Sequence, residues 1–201
     1  MTRTAPVPLG VLLAIAAYAT YAFADAIIKG LGQTVGMFEI GLFVTLISVL
    51  PALFTKPKEE AWRDTFRFRN PWRMQIVAVF RVAASLLITY SFITIPLAEA
   101  YCIVFLIPVF ITILSVVVLK EDVGIERWVL VLVSFAGVLL VVRPGFRDLE
   151  LGHLTALGCA VSAAIATVTT RLISGSERRI SLFMLPTVYT LIANAVLLGL
   201  T

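Results

Sequence analysis

Two long apolar runs, Leu97–Leu119 and Trp128–Val142, stand back to back across the charged hinge Lys120-Glu121-Asp122. A helix rises about 1.5 Å per residue, so about 20 apolar residues cross the hydrocarbon core of a bilayer. The first run meets that length unaided. The second meets it with its flanks, Gly124–Arg127 before it and Arg143 after it. The stretch predicts two membrane helices joined by a tight charged turn.

The rest of the chain repeats this pattern. Seven predominantly apolar spans are expected, at 8–29, 35–54, 74–95, 97–119, 125–143, 152–173 and 182–200. Hydrophobic residues make up 60% of the chain and charged ones 14%, which excludes a soluble globular domain. Such domains lie nearer about 45–50% and 25%. The fold class is therefore all-α, a polytopic transmembrane helix bundle. The first span, preceded by Arg3 and with Ala22-Phe23-Ala24 toward its end, has the outline of a signal peptide but is longer than the apolar core of one.

Charge is distributed unevenly about these spans. Of 16 Lys and Arg residues, twelve fall on the side of the N-terminus, 55–73, 120–127 and 171–179, and three on the other. The positive-inside rule then places the N-terminus in the cytoplasm. It also accounts for the net charge of +4 without nucleic acid. Thr55–Arg73 carries six of the basic residues among Trp62, Phe66, Phe68 and Trp72. It reads as a membrane-surface segment drawn to anionic lipid, with Trp62 and Phe66 on one helical face.

An internal repeat is visible at an offset of 142 residues: Leu9-Gly10, Leu12, Ala14, Ala22 and Ala24 match Leu151-Gly152, Leu154, Ala156, Ala164 and Ala166. Five spans separate the two starts, so the copies run in opposite directions, as inverted repeats of secondary transporters do. Residues 1–145 read as a first repeat of five helices, and 152–201 as the start of a second. The small-residue ridges Gly158, Ser162, Ala166 and Ala16, Thr20, Ala24 are expected to face one another across the centre.

No catalytic, metal-binding or cofactor pattern is present. The single histidine, His153, excludes paired-histidine zinc motifs and reads as a polar residue at a helix start rather than a proton relay. Cys102 and Cys159 read as small buried residues. Ionisable groups within spans carry more information, because charge in hydrocarbon is costly. Asp25 and Lys29 are spaced for an i,i+4 ion pair, either as an anchor for that helix end or in a substrate or proton role. Arg81 lies eight residues past Arg73, about 12 Å along a helix, where it either faces a cavity or snorkels to the headgroups. A cavity cation there would suit a carboxylate or phosphate. Glu99 and Glu39 begin spans, where the helix dipole also favours them. Pro108 removes a backbone donor and frees the carbonyl of Val104, so a kink is expected that faces protein or water. Tyr18, Tyr21 and Tyr90 are candidate cavity residues.

Pro96-Leu97-Ala98-Glu99-Ala100, Pro108, Leu119-x-Glu121, Arg127-Trp128, Gly137-Val138 and Arg143-Pro144-Gly145, in that order and spacing, resemble the EamA-type transporters of the drug/metabolite transporter superfamily. The resemblance implies ten spans in two inverted five-helix repeats, so three are missing: the chain is expected to be a fragment, a truncated product or a short relative. Asp25-x-x-x-Lys29 is similar to one branch that moves charged metabolites. Glu121 and Arg127 match a family turn, read as an ion pair connecting helices. Many relatives carry an arginine in the second span where this chain has Val44, so a substrate charge must be read elsewhere.

The expectation is a multi-pass protein of the inner (plasma) membrane that moves small polar metabolites by alternating access. Its cavity would be lined by spans 1, 3, 4 and 6, with Asp25 and Arg81 reading or coupling charge and Lys29 and Glu99 supporting them. The partners considered are a small-molecule solute, protons, the lipid bilayer and a second copy of the chain. The competing class is a non-transporting membrane subunit or scaffold that needs a partner chain. A membrane-embedded enzyme lacks any nucleophile, base or metal-ligand pattern.

Overall fold

The computed structural model describes residues 7–55, 65–122, 124–142 and 149–200, without the side chains of 7–8, 51–55, 127, 139 and 141–142. Among the described residues eight α-helices follow one another: α1 Val7–Leu31, α2 Met37–Thr55, α3 Pro71–Thr94, α4 Leu97–Val104, α5 Ile107–Leu114, α6 Ile125–Val142, α7 Leu151–Ile173 and α8 Arg179–Leu200. A π-helical turn, Ser115–Leu119, extends α5. No strand occurs among the described residues.

All seven expected spans are helical, and the fourth is interrupted. Five stretches, Leu9–Leu31, Pro71–Thr94, Leu97–Leu119, Leu151–Ile173 and Arg179–Leu200, are long and apolar enough to cross a membrane, and Met37–Leu50 and Trp128–Val138 are shorter apolar helices. Pro71 occupies the first turn of α3, where a missing N–H costs nothing. The interruption at Phe105 and Leu106 follows from Pro108, which cannot donate to the carbonyl of Val104. The chain tightens there instead, with the Leu106 N–H donating to the Ile103 carbonyl at 3.0 Å.

The bundle is built around α7 lying along α3. Many residues of α7 are small and buried, among them Gly152, Ala156, Cys159, Ala160 and Ala164. Small residues let helix backbones approach, the main source of association where lipid is as apolar as the side chains. A Cβ on Gly152 would strike Thr94 and Ile95, and one on Gly158 would sit 3.2 Å from Leu87. The small ridge of α7 therefore packs on α3. The expected direct match with α1 does not form: α1 packs chiefly on α3, and its Ala16, Thr20 and Ala24 are exposed.

Two apolar clusters pin the ends of this pair. Met74, Val77, Ala78, Ile173 and Leu185 form one, and Phe92, Ile95 and Ala100 the other. Beneath the first, the turn before α3 is tied to the α7–α8 turn. The Asn70 N–H donates to Glu177 Oε1 at 2.6 Å, and the Ser181 hydroxyl donates to the Thr65 carbonyl at 2.6 Å. Phe66 stands in this turn, half exposed and edge-on to Phe68, so it lies on no helical face; Trp62 lies outside the described residues.

Candidate functional site

A cavity of about 680 Å³ opens between α1, α2, α3, α7 and α8. Arg81 and Ser85 come from α3, Thr45 and Ser48 from α2, and Arg179, Thr187 and Thr190 from α8. Spans 1, 3 and 6 line it as expected, whereas α4 and α5 do not, and α2 and α8 take their place. α7 packs on α3, α4 and α5, while its Cys159, Ala163 and Thr170 line the cavity.

Polarity inside the cavity has a direction. The hydroxyls of Thr45, Ser48, Thr187 and Thr190 donate to carbonyls of their own helices, those of Gly41, Thr45, Phe183 and Pro186, at 2.7 to 2.9 Å. Their hydrogens are thus committed, and their lone pairs remain for a ligand's donors. Arg81 and Arg179 supply donors and positive charge. Among the described residues neither guanidinium has a carboxylate partner. Pro186 stands inside α8 on the same wall, where its ring removes a donor for the carbonyl of Leu182, another lining residue.

The other sequence-based candidates fall as follows. Tyr21 lines the cavity; Tyr18 is 76% exposed on α1, and Tyr90 is half-buried on α3 away from the cavity. Val44 lies on the cavity wall, whose cations are Arg81 of α3 and Arg179 of α8. Pro108 marks a helix break, as expected, but away from the cavity.

The expected Asp25–Lys29 ion pair is not formed. Asp25 accepts a hydrogen bond from the Tyr101 hydroxyl of α4, while Lys29 Nζ donates to the carbonyls of Ile95 and Phe92, at 2.8 and 3.1 Å. Pro96 ends α3 and leaves those carbonyls without helical donors, and the Lys29 ammonium supplies them. Glu121 Oε2 lies 4.0 Å from Arg171 Nη1, both well exposed, and the Arg127 side chain lies outside the described residues.

Glu99 and His153 make the largest departure from expectation. Glu99 is 7% exposed and His153 8%, and His153 Nε2 lies 2.9 Å from Glu99 Oε2. His153 is a buried partner of a carboxylate rather than an interfacial residue. Arg179, Pro186 and this pair were missed by sequence reasoning. Pro186 was accessible to the argument used for Pro108; Glu99 and His153 are 54 positions apart and share no local signal. Cys102 and Cys159 are both free thiols, and no metal-ligand cluster occurs among the described residues.

An all-helical bundle whose helices are this long and apolar defines a polytopic membrane protein. The chain belongs to the EamA-like transporter family, which residues 8–143 match. It is 25% identical over 173 residues to the S-adenosylmethionine uptake transporter of Rickettsia felis, covering 85% of this chain and 57% of that one. The corresponding Rickettsia bellii protein matches at 25% as well, over 58% of its length. Solute carrier family 35 member G1 of Mus musculus is 31% identical over 192 residues, covering 84% of this chain and 49% of the relative. The chain thus spans about half to three-fifths of the curated relatives it matches. No solved structure matches it.

Proposed function

We propose that this protein carries a small polar solute across the membrane by alternating access, through the cavity between α1, α2, α3, α7 and α8. The observation that carries the reading is Arg81: a cation ten residues into a membrane-spanning helix whose side chain lines a cavity. Charge at that depth is costly, so its position on a cavity wall points to a counter-charge brought by the solute. A carboxylate or phosphate fits a guanidinium in a bidentate mode. The relatives named for S-adenosylmethionine uptake support a solute of this kind, since that molecule bears a carboxylate. A volume of about 680 Å³ is within the usual range for small-molecule sites, about 300–1,000 Å³.

Residues 1–145 are then the first of two inverted repeats and 152–201 belong to the second, which rock against each other about the cavity. The excess of basic residues places the N-terminus on the cytoplasmic side of the inner membrane.

The test is uptake into proteoliposomes, starting with labelled S-adenosylmethionine and extending to small carboxylates and phosphates. Arg81→Ala inserts normally and loses uptake at least about tenfold, a difference of about 1.4 kcal/mol. Full uptake by Arg81→Ala removes the site. A wild-type protein that moves none of these solutes favours a non-transporting subunit.

A further inference from the structure

The basic and aromatic segment before α3 takes no part in the solute cavity. Its described part, residues 65–70, meets the α7–α8 turn, and a second concavity of about 180 Å³ lies between them. Arg67 and Arg69 line it from one side, and Gly175, Ser176, Glu177 and Arg178 from the other. Three guanidinium groups thus converge from two segments far apart in the chain.

Hydrogen bonds fix the two walls to each other. The Asn70 N–H donates to Glu177 Oε1 at 2.6 Å, and the Asn70 side-chain amide donates to the Ser176 hydroxyl oxygen at 3.0 Å. The Ser181 hydroxyl donates to the Thr65 carbonyl at 2.6 Å. Glu177, the one carboxylate of the lining, is buried and joined to the Asn70 backbone. Arg67 and Arg178 engage other groups as well, and each guanidinium has five donors to divide among its partners. Arg69 is exposed and makes no hydrogen bond or ion pair among the described residues.

The helix ends set the depth of this concavity. α7 ends at Ile173, just before one wall, and α3 and α8 begin at Pro71 and Arg179, just after the two walls. The 24 residues of α3 rise about 36 Å, more than the hydrocarbon core of about 30 Å, so its ends reach the headgroups. Trp72, in the first turn of α3, is 77% exposed, and tryptophan settles at this level of a bilayer. The depth follows from helix lengths alone and holds for either orientation in the membrane.

We propose that this concavity binds the phosphate group of an anionic phospholipid. The phosphate oxygens accept a forked pair of hydrogen bonds from Arg69, with Arg67 and Arg178 flanking them. Basic pockets between membrane helices take such headgroups. Any phosphate ester shares this chemistry, and the position of the concavity among headgroups selects the lipid as its source. A lipid seated there bridges the segments that lead into α3 and α8, the helices that carry Arg81 and Arg179.

The experiment is native mass spectrometry of the full chain in neutral detergent, titrated with phosphatidylglycerol or phosphatidylcholine. One phosphatidylglycerol is expected to bind more tightly than phosphatidylcholine, and Arg69→Gln to weaken it about fivefold. Arg73→Gln removes a like charge from the first turn of α3 outside the concavity, and leaves that binding unchanged. A Cβ on Gly175 meets nothing within 4 Å, so Gly175→Asp adds a carboxylate to the lining without a clash and also weakens binding. Equal losses in Arg69→Gln and Arg73→Gln would mean diffuse attraction to charge and overturn the site. Undiminished binding in both Arg69→Gln and Gly175→Asp overturns it too. Inorganic phosphate that displaces the lipid at comparable concentration overturns the lipid as the source. The titration needs no transported solute, so its outcome is independent of the uptake assay.

Discussion

Lys29 of α1 closes the end of α3: its ammonium nitrogen lies 2.8 Å from the carbonyl oxygen of Ile95 and 3.1 Å from that of Phe92. The last carbonyls of a helix lack intrahelical donors, and a cation there also meets the negative end of the helix dipole. Much of α1 is otherwise exposed to the surroundings of the bundle, so this contact and the Asp25–Tyr101 hydrogen bond are its main polar ties.

Replacing Lys29 with Met therefore loosens α1 from α3. Hydrogen bonds to charged groups contribute about 1.5–3 kcal/mol each when buried, and this site is half-buried, so a loss of about 2 kcal/mol is expected. Thermal unfolding in detergent reads it as a lower Tm. Crosslinking between cysteines placed on the two helices falls in parallel.

Gly41 of α2 lies against Asn194 of α8, where a Cβ would strike the side-chain carboxamide. Asn194 is 1% exposed, and its Oδ1 has no hydrogen-bond partner among the described residues. Gly41→Ala should separate α2 from α8 and cost about 1–3 kcal/mol, as overpacking does. Gly41→Ala combined with Asn194→Ala should recover most of that loss. A cycle of the four proteins, followed by unfolding, reads the coupling directly.

Lys120 ends the π-helical turn with φ 54° and ψ 35°, in the left-handed region that an L-residue enters at a cost of about 1–2 kcal/mol. Glycine enters it freely. Lys120→Gly should raise the unfolding midpoint by the equivalent of about 1 kcal/mol, with insertion unaltered. A fall in stability would mean that the lysine side chain holds this turn.

Arg179 begins α8 on the cavity wall that Arg81 also lines. If both cations face the same solute charge, Arg179→Gln raises the apparent KM for an anionic solute severalfold and leaves a neutral one unchanged. Uptake kinetics with a matched anionic and neutral pair check this. Equal effects on both solutes would assign Arg179 to packing or to the headgroup region.

Several site features were legible before any coordinates. A cavity wall was one of the two places that the depth of Arg81 in its span allowed, and the break near Pro108 followed from the lost donor for Val104. Asp25 and Lys29 were legible as charges near one end of a span, but their partners were not. Spacing of four places them on one helix face, and nothing local announces that Tyr101 and the Ile95 carbonyl lie closer. The Gly158, Ser162, Ala166 ridge was legible as a packing surface, yet its partner proved to be α3. Small-residue ridges resemble one another and do not specify a mate.

By itself the sequence determined that the chain is an all-helical membrane bundle and where its apolar helices lie. That is a one-dimensional matter: a run of apolar residues either reaches across the hydrocarbon core or does not. Only the tertiary structure decided that α7 lies along α3, that Arg81 and Arg179 share one cavity, and that Glu99 meets His153. Lipid and protein interior are equally apolar, so hydrophobic pattern does not distinguish one helix neighbour from another. The choice falls to close backbone approach and to polar groups meeting across tens of residues, which exist only once the helices are assembled.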